Sequence, residues 1–246
     1  MMCLIFGQTG VKVCEMKTSD SEGVPRTITS DEMRALEQEA IASGCVTGLE
    51  LMERAGQGVV EAIFEEWPAM AKDAHRAVVL CGPGNNGGDG YVVARLLRDA
   101  GWGVDVFAYG DTRSLPPDAR TNYDRWRPNG SVSEIERALD TDYSKCDLVV
   151  DALFGIGLSR PITSPVLRDV FKHISRAAQP LRVAIDVPSG VDSETGRPPD
   201  GGSALRADLT VTFHAYKPCH LREAGAGVIS PPAALARFVK VKDIGL

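Results

Sequence analysis

This 246-residue chain lacks the sequence features typical of membrane, nucleic-acid-binding and secreted proteins. No apolar run approaches the ~20 residues that a membrane-spanning helix needs, so we expect no membrane association. The formal net charge is −6, which leaves no basic field for nucleic acid or anionic lipid, and we predict neither as a partner. The first ten residues carry no basic segment of the kind that opens a signal peptide, so we expect a cytoplasmic protein.

Paired cysteines and common catalytic signatures are missing as well. The six cysteines are scattered and none forms a CxxC pair, which is typical of reduced thiols rather than of a disulfide framework. His214, Cys219 and His220 lie close together, but their spacing fits no common zinc pattern, so we do not expect zinc. The sequence has no G-x-S-x-G elbow, P-loop lysine or H-E-x-x-H motif.

The chain does show short apolar runs that alternate with helical patterns. The predicted strands are residues 77–81, 104–108, 147–151, 182–187 and 209–213, with a further strand at 238–241. Helices are predicted from a capping box at Thr29–Glu32, over 47–66, 89–100 and 117–127, at 135–139, and from Ser164-Pro165 onward. Because the strands are apolar on both faces, we predict an α/β fold in which helices cover both sides of a mostly parallel sheet.

Residues 1–27 show no lasting periodicity. We expect a loose N-terminal extension there and one α/β domain over 28–246.

The first predicted strand runs into the segment GPGNNGGDG (82–90), after which a helix is predicted from Asp89. Glycines bring backbone N–H groups close to a ligand, and a helix N-terminus favours phosphate. The spacing of Gly82, Gly84 and Gly87 also fits a dinucleotide-binding fingerprint, which alone is a weak signal. A glycine-rich turn capped by Asp89 is the plainer alternative, but it does not explain the two adjacent carboxamides of Asn85 and Asn86. We therefore predict a binding loop.

Polar side chains also follow other predicted strands. Asp151 ends the strand DLVVD, while Asp186 and Ser189 lie at the end of RVAIDV. The carboxyl ends of parallel strands share one edge, so we expect these groups to converge with Asn86 on one site. Oxygen ligands suit an alkali or alkaline-earth ion rather than zinc, and a single carboxylate provides little charge for magnesium, which favours a monovalent ion. Burial would raise the pKa of Asp186, which would suit a proton-transfer group, and Lys217 is available to counter a phosphate or a carboxamide oxygen.

These segments resemble the N-terminal domain family of the YjeF proteins, the NAD(P)H-hydrate epimerases. The similarity extends from about residue 28 to the C-terminus, and its motifs are GPGNNGGDG (82–90), DALFGIGLSRPI (151–162), DVPSGVD (186–192), ADLTVTFHAYKP (207–218) and DIGL (243–246).

The resemblance implies a Rossmann-like three-layer α/β/α sandwich, a homodimer, and an isomerase that interconverts the R and S forms of hydrated NADH or NADPH at C6 of the nicotinamide ring. It implies K+ as the bound ion, held by Asn86, Asp151 and Ser189. The implied substrate-binding residues are Asn85, Asn86, Gly87, Gly88, Asp89, Gly155, Ile156, Gly157, Leu158, Ser159, Arg160, Pro161 and Asp186. Because the sequence ends at DIGL, we expect an ADP/ATP-dependent dehydratase to act as a separate pathway partner.

The reaction suggests a role for Asp186. The ring nitrogen can expel a protonated C6 hydroxyl, and water can return to either face of the planar iminium. One group that is acid in one step and base in the next suffices, and Asp186 is the candidate. Ring opening and reclosure at the same carbon is an alternative route. The competing functions are a dinucleotide-dependent oxidoreductase and a non-catalytic nucleotide-binding or scaffold domain of the same fold.

Overall fold

The structure is a computed structural model that describes residues 27–158, 160–224, 228–230 and 236–246. The extension predicted for residues 1–27 therefore lies outside the described residues except for Thr27, which forms an isolated bridge with Tyr216. Ser159 also lies outside them.

Five α-helices and nine β-strands make up the described part of the chain. The helices are α1 Ser30–Ala42, α2 Gly48–Glu66, α3 Asn85–Asp99, α4 Pro117–Trp126 and α5 Pro165–Arg176. The strands are β1 Arg76–Cys81, β2 Gly103–Ala108, β3 Val132–Glu134, β4 Leu148–Ala152, β5 Leu181–Ile185, β6 Ala207–Phe213, β7 Arg222–Ala224, β8 Val228–Ser230 and β9 Ala236–Lys242.

The main sheet contains seven strands in the order β3-β2-β1-β4-β5-β6-β9, and all its pairings are parallel. Strands β7 and β8 form a separate antiparallel pair. From β1 the chain builds the sheet outward through β2 to β3, and it then crosses back to place β4 on the other side of β1. The carboxyl ends of β1 and β4 therefore form the crevice where such sheets bind ligands. The Rossmann-like three-layer fold is confirmed.

Both faces of the sheet are buried, as the doubly apolar strands predicted. Along β1, Ala77, Val79 and Cys81 pack into a core with α2 and α3, whereas Val78 and Leu80 pack into a second core with α5. Successive strand residues point to opposite faces, so one strand contributes to both cores. Within the described residues, no helix is both long and apolar enough to cross a membrane.

Local sequence signals explain most helix starts. Thr29 and Thr47 each form a capping box with the glutamate three residues later, which satisfies free N–H groups at the starts of α1 and α2. Proline at the first position begins α4 and α5. The helix predicted at 135–139 is instead a 3-10 helix over Ile135–Asp140.

Candidate active site at the carboxyl rim of the sheet

The glycine segment after β1 forms the first turn of a helix rather than a loop. Helix α3 begins at Asn85, four residues before the predicted start, and Gly84 occupies its N-cap position. Asp89 is thus inside the helix, and the alternative in which it caps the helix is wrong. A Cβ on Gly82 would overlap the carbonyl of Leu153, so only glycine lets this turn pack against the segment after β4.

Asp151 and Ser189 form one buried unit. The hydroxyl of Ser189 donates to Oδ1 of Asp151 at 2.6 Å, and the backbone N–H of Ser189 donates to Oδ2 at 2.8 Å. The backbone N–H of Phe154 donates to the Ser189 hydroxyl at 2.9 Å. Asp151 is 3% exposed, and burial raises its pKa to about 6 against the hydrogen bonds from Ser189 and Leu153 that lower it. These contacts tie the segments after β4 and β5 together.

Asp186 lies immediately after β5 rather than inside it, in a conformation that few non-glycine residues adopt. Its φ is +66°, and backbone strain of this kind clusters at functional sites. Its carboxylate accepts hydrogen bonds from the backbone N–H of Ile156 at 3.1 Å and from the hydroxyl of Thr212 at 3.1 Å. The ammonium of Lys217 lies 3.3 Å from Oδ1. Groups from three chain segments thus hold this one carboxylate.

The direction of the Asp186 pKa shift differs from our prediction. Burial does favour the neutral form, but the charge of Lys217, the N–H of Ile156, His220 and the hydroxyl of Thr212 outweigh it, so the pKa lies below its usual value. Asp186 is therefore ionised at neutral pH. It is available as a base or as a negative charge, and the initial acid in the reaction has to be another group.

Lys217 cannot counter a ligand phosphate as we predicted from the sequence, because its side chain is fully buried. Its ammonium donates to the hydroxyl of Thr212 and to the carbonyl of Phe213, both at 2.9 Å, and to the carbonyl of Ala215 at 3.3 Å. The prediction was wrong because loop lysines are usually exposed to solvent, whereas the turn after β6 folds this side chain back toward Asp186.

A cavity of about 550 Å³ opens at the carboxyl ends of β1 and β4. This volume falls within the usual range for small-molecule sites. The predicted site residues that line it are Asn85, Asn86, Asp89, Gly155, Ile156, Gly157, Leu158, Arg160 and Asp186. Gly87, Gly88 and Pro161 are absent from this lining, as are the buried Asp151 and Ser189. The structure thus brings the first loop, the segment after β4 and Asp186 together around one space.

Sequence reasoning missed one wall of this cavity. Met33, Arg34 and Glu37 of α1 line it, together with Pro83 and Phe213. The capping box located α1, but helical periodicity alone does not show which polar residues face a ligand. By contrast Asp111, which follows β2 where a dinucleotide-binding fold holds the ribose with an acidic residue, pairs with Arg113 at 3.0 Å and is absent from the cavity lining.

Comparison with known proteins agrees with this geometry. The family model described as "YjeF-related protein N-terminus" matches residues 48–219. The chain belongs to this family. A protein of Rhodobacter capsulatus named NAD(P)H-hydrate epimerase is 52% identical over 213 residues, covering 85% of this chain and 98% of the relative.

Other proteins similar to this chain include both short and long ones. A Roseobacter litoralis protein, also named NAD(P)H-hydrate epimerase, is 46% identical over 80% of this chain and 92% of its own length. The Escherichia coli bifunctional NAD(P)H-hydrate repair enzyme Nnr is 38% identical, but the match covers only 36% of that protein. The crystal structure of the yeast protein ynu0 matches with a TM-score of 0.66 at 25% identity, covering 80% of this chain and 85% of that one.

In this family member, three carboxyl groups share the cavity, and their pKa values are shifted in different directions. Asp186 is ionised, whereas burial and the negative charges of Asp186 and Glu37 raise the pKa of Asp89 well above its usual value. Burial and the charge of Asp186 also raise the pKa of Glu37, against the opposing effects of Lys217 and Arg34. Environments that separate the pKa values of neighbouring carboxyls are typical of acid–base sites.

Gly155 gives a direct test of how closely the site is packed. A Cβ at this position would lie 2.9 Å from Oδ2 of Asp186 and 3.0 Å from Oδ1 of Asn86. Both contacts are with the ends of side chains, so Gly155→Ala should displace these groups while the fold is retained. We expect nucleotide binding to weaken by at least about 10-fold, equivalent to about 1.4 kcal/mol, as measured by titration calorimetry.

The comparison variant is Gly157→Ala in the same loop, whose Cβ would meet nothing within 4 Å. Its effect should be clearly smaller than that of Gly155→Ala. Equal losses in the two variants would show that loop flexibility, rather than displacement of Asp186 and Asn86, controls binding.

Proposed function

We propose that this chain interconverts the R and S forms of hydrated NADH and NADPH at C6 of the reduced nicotinamide ring, and that it is an NAD(P)H-hydrate epimerase. The observation that carries the proposal is the ionised, strained carboxylate of Asp186 at the wall of a nucleotide-sized cavity on the sheet rim. The names of the relatives support the same reaction.

The chain's own groups suit the chemistry of this substrate. Once the C6 hydroxyl is protonated, the ring nitrogen can expel it as water and leave a planar iminium cation. The negative charge of Asp186 stabilises that cation and can accept the proton of a water that returns to C6. Asn85 and the other polar groups at the start of α3 would bind the nucleotide, and Arg160 at the cavity would pair with a phosphate, which their position in the cavity lining supports.

A non-catalytic binding or scaffold role would need none of this arrangement. A buried ion pair is costly to desolvate and does not by itself favour stability over apolar packing. The chain nevertheless buries Lys217 next to Asp186, and this carboxylate lines the cavity. A charged group held at that cost in a cavity wall favours a catalytic role over a scaffold role.

The experiment that tests the function mixes the protein with hydrated NADH enriched in the R form and a purified S-specific dehydratase. An epimerase lets the dehydratase consume both forms completely. If the dehydratase consumes only the S form, and the R form disappears no faster than in the absence of the protein, the proposed function is wrong.

The buried carboxylate of Asp151 fits a potassium site. In the described part of the chain, no lysine or arginine forms an ion pair with it, and its hydrogen bonds come from neutral groups of Ser189 and Leu153. Asn86 would contribute its amide oxygen, because an N–H donor cannot coordinate a cation. We infer that Asn86, Asp151 and Ser189 hold K+, which supplies the missing positive charge when bound.

Potassium should therefore stabilise the protein. A concentration ~100 times the dissociation constant would contribute about 2.7 kcal/mol, seen as a higher Tm in KCl than in tetramethylammonium chloride at equal ionic strength. Asp151→Asn should remove the difference, and Asp140→Asn, a change at an exposed carboxylate, should keep it. The same Tm in both salts for the unmodified protein would argue against the site.

We further propose that the active form is a cytoplasmic homodimer, with a separate ADP/ATP-dependent NAD(P)H-hydrate dehydratase as its pathway partner and residues 28–246 as its single domain. The bifunctional naming of the longer relatives supports the link to a dehydratase.

A further inference from the structure

The ionised state of Asp186 leaves the first step of the proposed reaction without a proton donor. A hydroxide ion is a poor leaving group, so the C6 hydroxyl has to be protonated as it departs. Besides Asp186, the carboxyls that line the cavity among the described residues are Asp89 and Glu37. Glu37 lies in α1, outside the residues 48–219 that the family model matches.

Helix α1 is fastened directly to the segment that holds Asp186. The guanidinium of Arg34 donates to the carbonyl of Ile156 at 2.8 Å, and the backbone N–H of the same Ile156 donates to Asp186 at 3.1 Å. Glu37 is three residues beyond Arg34, so the two share one side of the helix. The backbone of Ile156 therefore connects α1, which carries Glu37, to the carboxylate of Asp186.

The start of α1 is also fastened at two other points. The hydroxyls of Ser30 and Ser193 are 2.6 Å apart and both buried. The backbone N–H of Ile28 donates to the carbonyl of Tyr216 at 2.8 Å. These contacts join α1 to the turns that follow β5 and β6, so α1 forms a fixed wall of the cavity.

The charges around Glu37 suit a group that gains and loses a proton. Asp186 opposes its ionisation, whereas Lys217 and Arg34 favour it, and the net effect with burial is a raised pKa. Burial and the charges of Asp186 and Glu37 also raise the pKa of Asp89, but among the described residues no cation opposes that shift, whereas Lys217 and Arg34 oppose it at Glu37. Glu37 is half-buried, so it can exchange protons with solvent between turnovers.

We propose that Glu37 is the second catalytic carboxyl of this site and protonates the departing C6 hydroxyl of the hydrated nicotinamide ring. This inference rests on the proposed epimerase function. Glu37 transfers its proton to the C6 hydroxyl. The C6–O bond breaks, its electron pair stays on the oxygen of the departing water molecule, and the ring nitrogen lone pair forms the C=N bond.

Return of water completes the reaction. A water oxygen bonds to C6 on the other face, the C=N electrons return to nitrogen, and Asp186 accepts the surplus proton. Exchange with solvent then deprotonates Asp186 and reprotonates Glu37. In the opposite direction each proton transfer is reversed: the reaction then starts from the minor form of the enzyme that carries the proton on Asp186 instead of on Glu37, and Glu37 accepts the proton at the end.

The test compares Glu37→Gln with Glu39→Gln, an exposed position on the same helix. We expect Glu37→Gln to lower kcat by ~10²–10⁴-fold, the usual contribution of a general acid. KM and the nucleotide-induced rise in Tm should change less than the rate.

The pH–activity profile is the second readout. In the unmodified protein, activity should fall at high pH as Glu37 loses its proton, and this alkaline limb of the profile should be missing from the residual activity of Glu37→Gln. Glu39→Gln should match the unmodified protein.

The outcomes separate this inference from the function itself. If the unmodified protein does not epimerise the hydrate, the proposed function fails and the role of Glu37 fails with it. If the unmodified protein is active and Glu37→Gln is equally active with its alkaline limb intact, only the Glu37 proposal is overturned. Should Glu37→Gln not fold, Glu37→Asp keeps the carboxyl but shortens its reach, and an unchanged kcat in that variant overturns the proposal.

Discussion

Asp186→Asn is expected to lower kcat for epimerisation by ~10²–10⁴-fold while nucleotide binding remains measurable. The amide keeps nearly the same shape as the carboxylate but removes the negative charge beside the developing cation and the group that accepts the proton. The fold should persist, because the amide oxygen can accept from the backbone N–H of Ile156 while the amide NH2 donates to the hydroxyl of Thr212. Lys217 keeps its acceptors at Thr212, Phe213 and Ala215. The rate is measured with the dehydratase-coupled assay, and binding is measured by calorimetry.

The matched control is Asp169→Asn, which removes an exposed carboxylate of α5. It should leave both the rate and the binding unchanged. Full activity of Asp186→Asn would remove this residue from the chemistry. Loss of binding together with activity would assign it to substrate binding alone.

The pH dependence of the unmodified protein follows from the same carboxylate. The pKa of Asp186 is lowered, so its base form persists below the pH at which an ordinary carboxyl takes up a proton. Activity that depends on ionised Asp186 should therefore fall only when pH drops through that lowered pKa. This acid limb is distinct from the alkaline limb assigned to Glu37.

Much of the fold could be predicted from the sequence, because each central strand is apolar on both faces and each turn that follows carries glycine or oxygen-bearing side chains. The β1 residues 77–81 are an example, since their alternate side chains fill two different cores. Asp151 and Ser189 could be placed at one edge for the same reason, and they are hydrogen-bonded there.

The rest of the site depends on tertiary contacts that local patterns do not record. Glycines at 87 and 88 argue against a helix, yet α3 includes both, because a Cβ on Gly87 would overlap the carbonyl of Gly82 and a Cβ on Gly88 would overlap Met52 of α2. Lys217 is a loop residue by sequence and a buried one in the fold. That burial reverses the pKa expected for Asp186, since the prediction counted the cost of desolvation but not the cation that offsets it.

Lys217→Met is expected to destabilise the protein by about 3–5 kcal/mol at neutral pH, because it leaves the buried carboxylate of Asp186 without its cation. The free energy of unfolding is measured by chemical denaturation. Lys172→Met, which breaks an exposed ion pair with Asp169, is the control and should cost at most about 1 kcal/mol. A similar small loss for Lys217→Met would show that the buried pair contributes little.

Acidification should reduce the stability difference between Lys217→Met and the unmodified protein. In the unmodified protein the lowered pKa of Asp186 adds stability above the unfolded-state pKa, and that stability is lost as pH falls through the folded-state pKa. Without Lys217, burial raises the pKa of Asp186. The destabilisation caused by burying its unpaired charge is therefore greatest at neutral pH, and it disappears once Asp186 is protonated in both the folded and the unfolded state.

The double variant Lys217→Met/Asp186→Asn should recover part of the stability at neutral pH, because it no longer buries an unpaired charge. If the double variant is no more stable than Lys217→Met alone, the destabilisation comes from lost packing rather than from the ion pair.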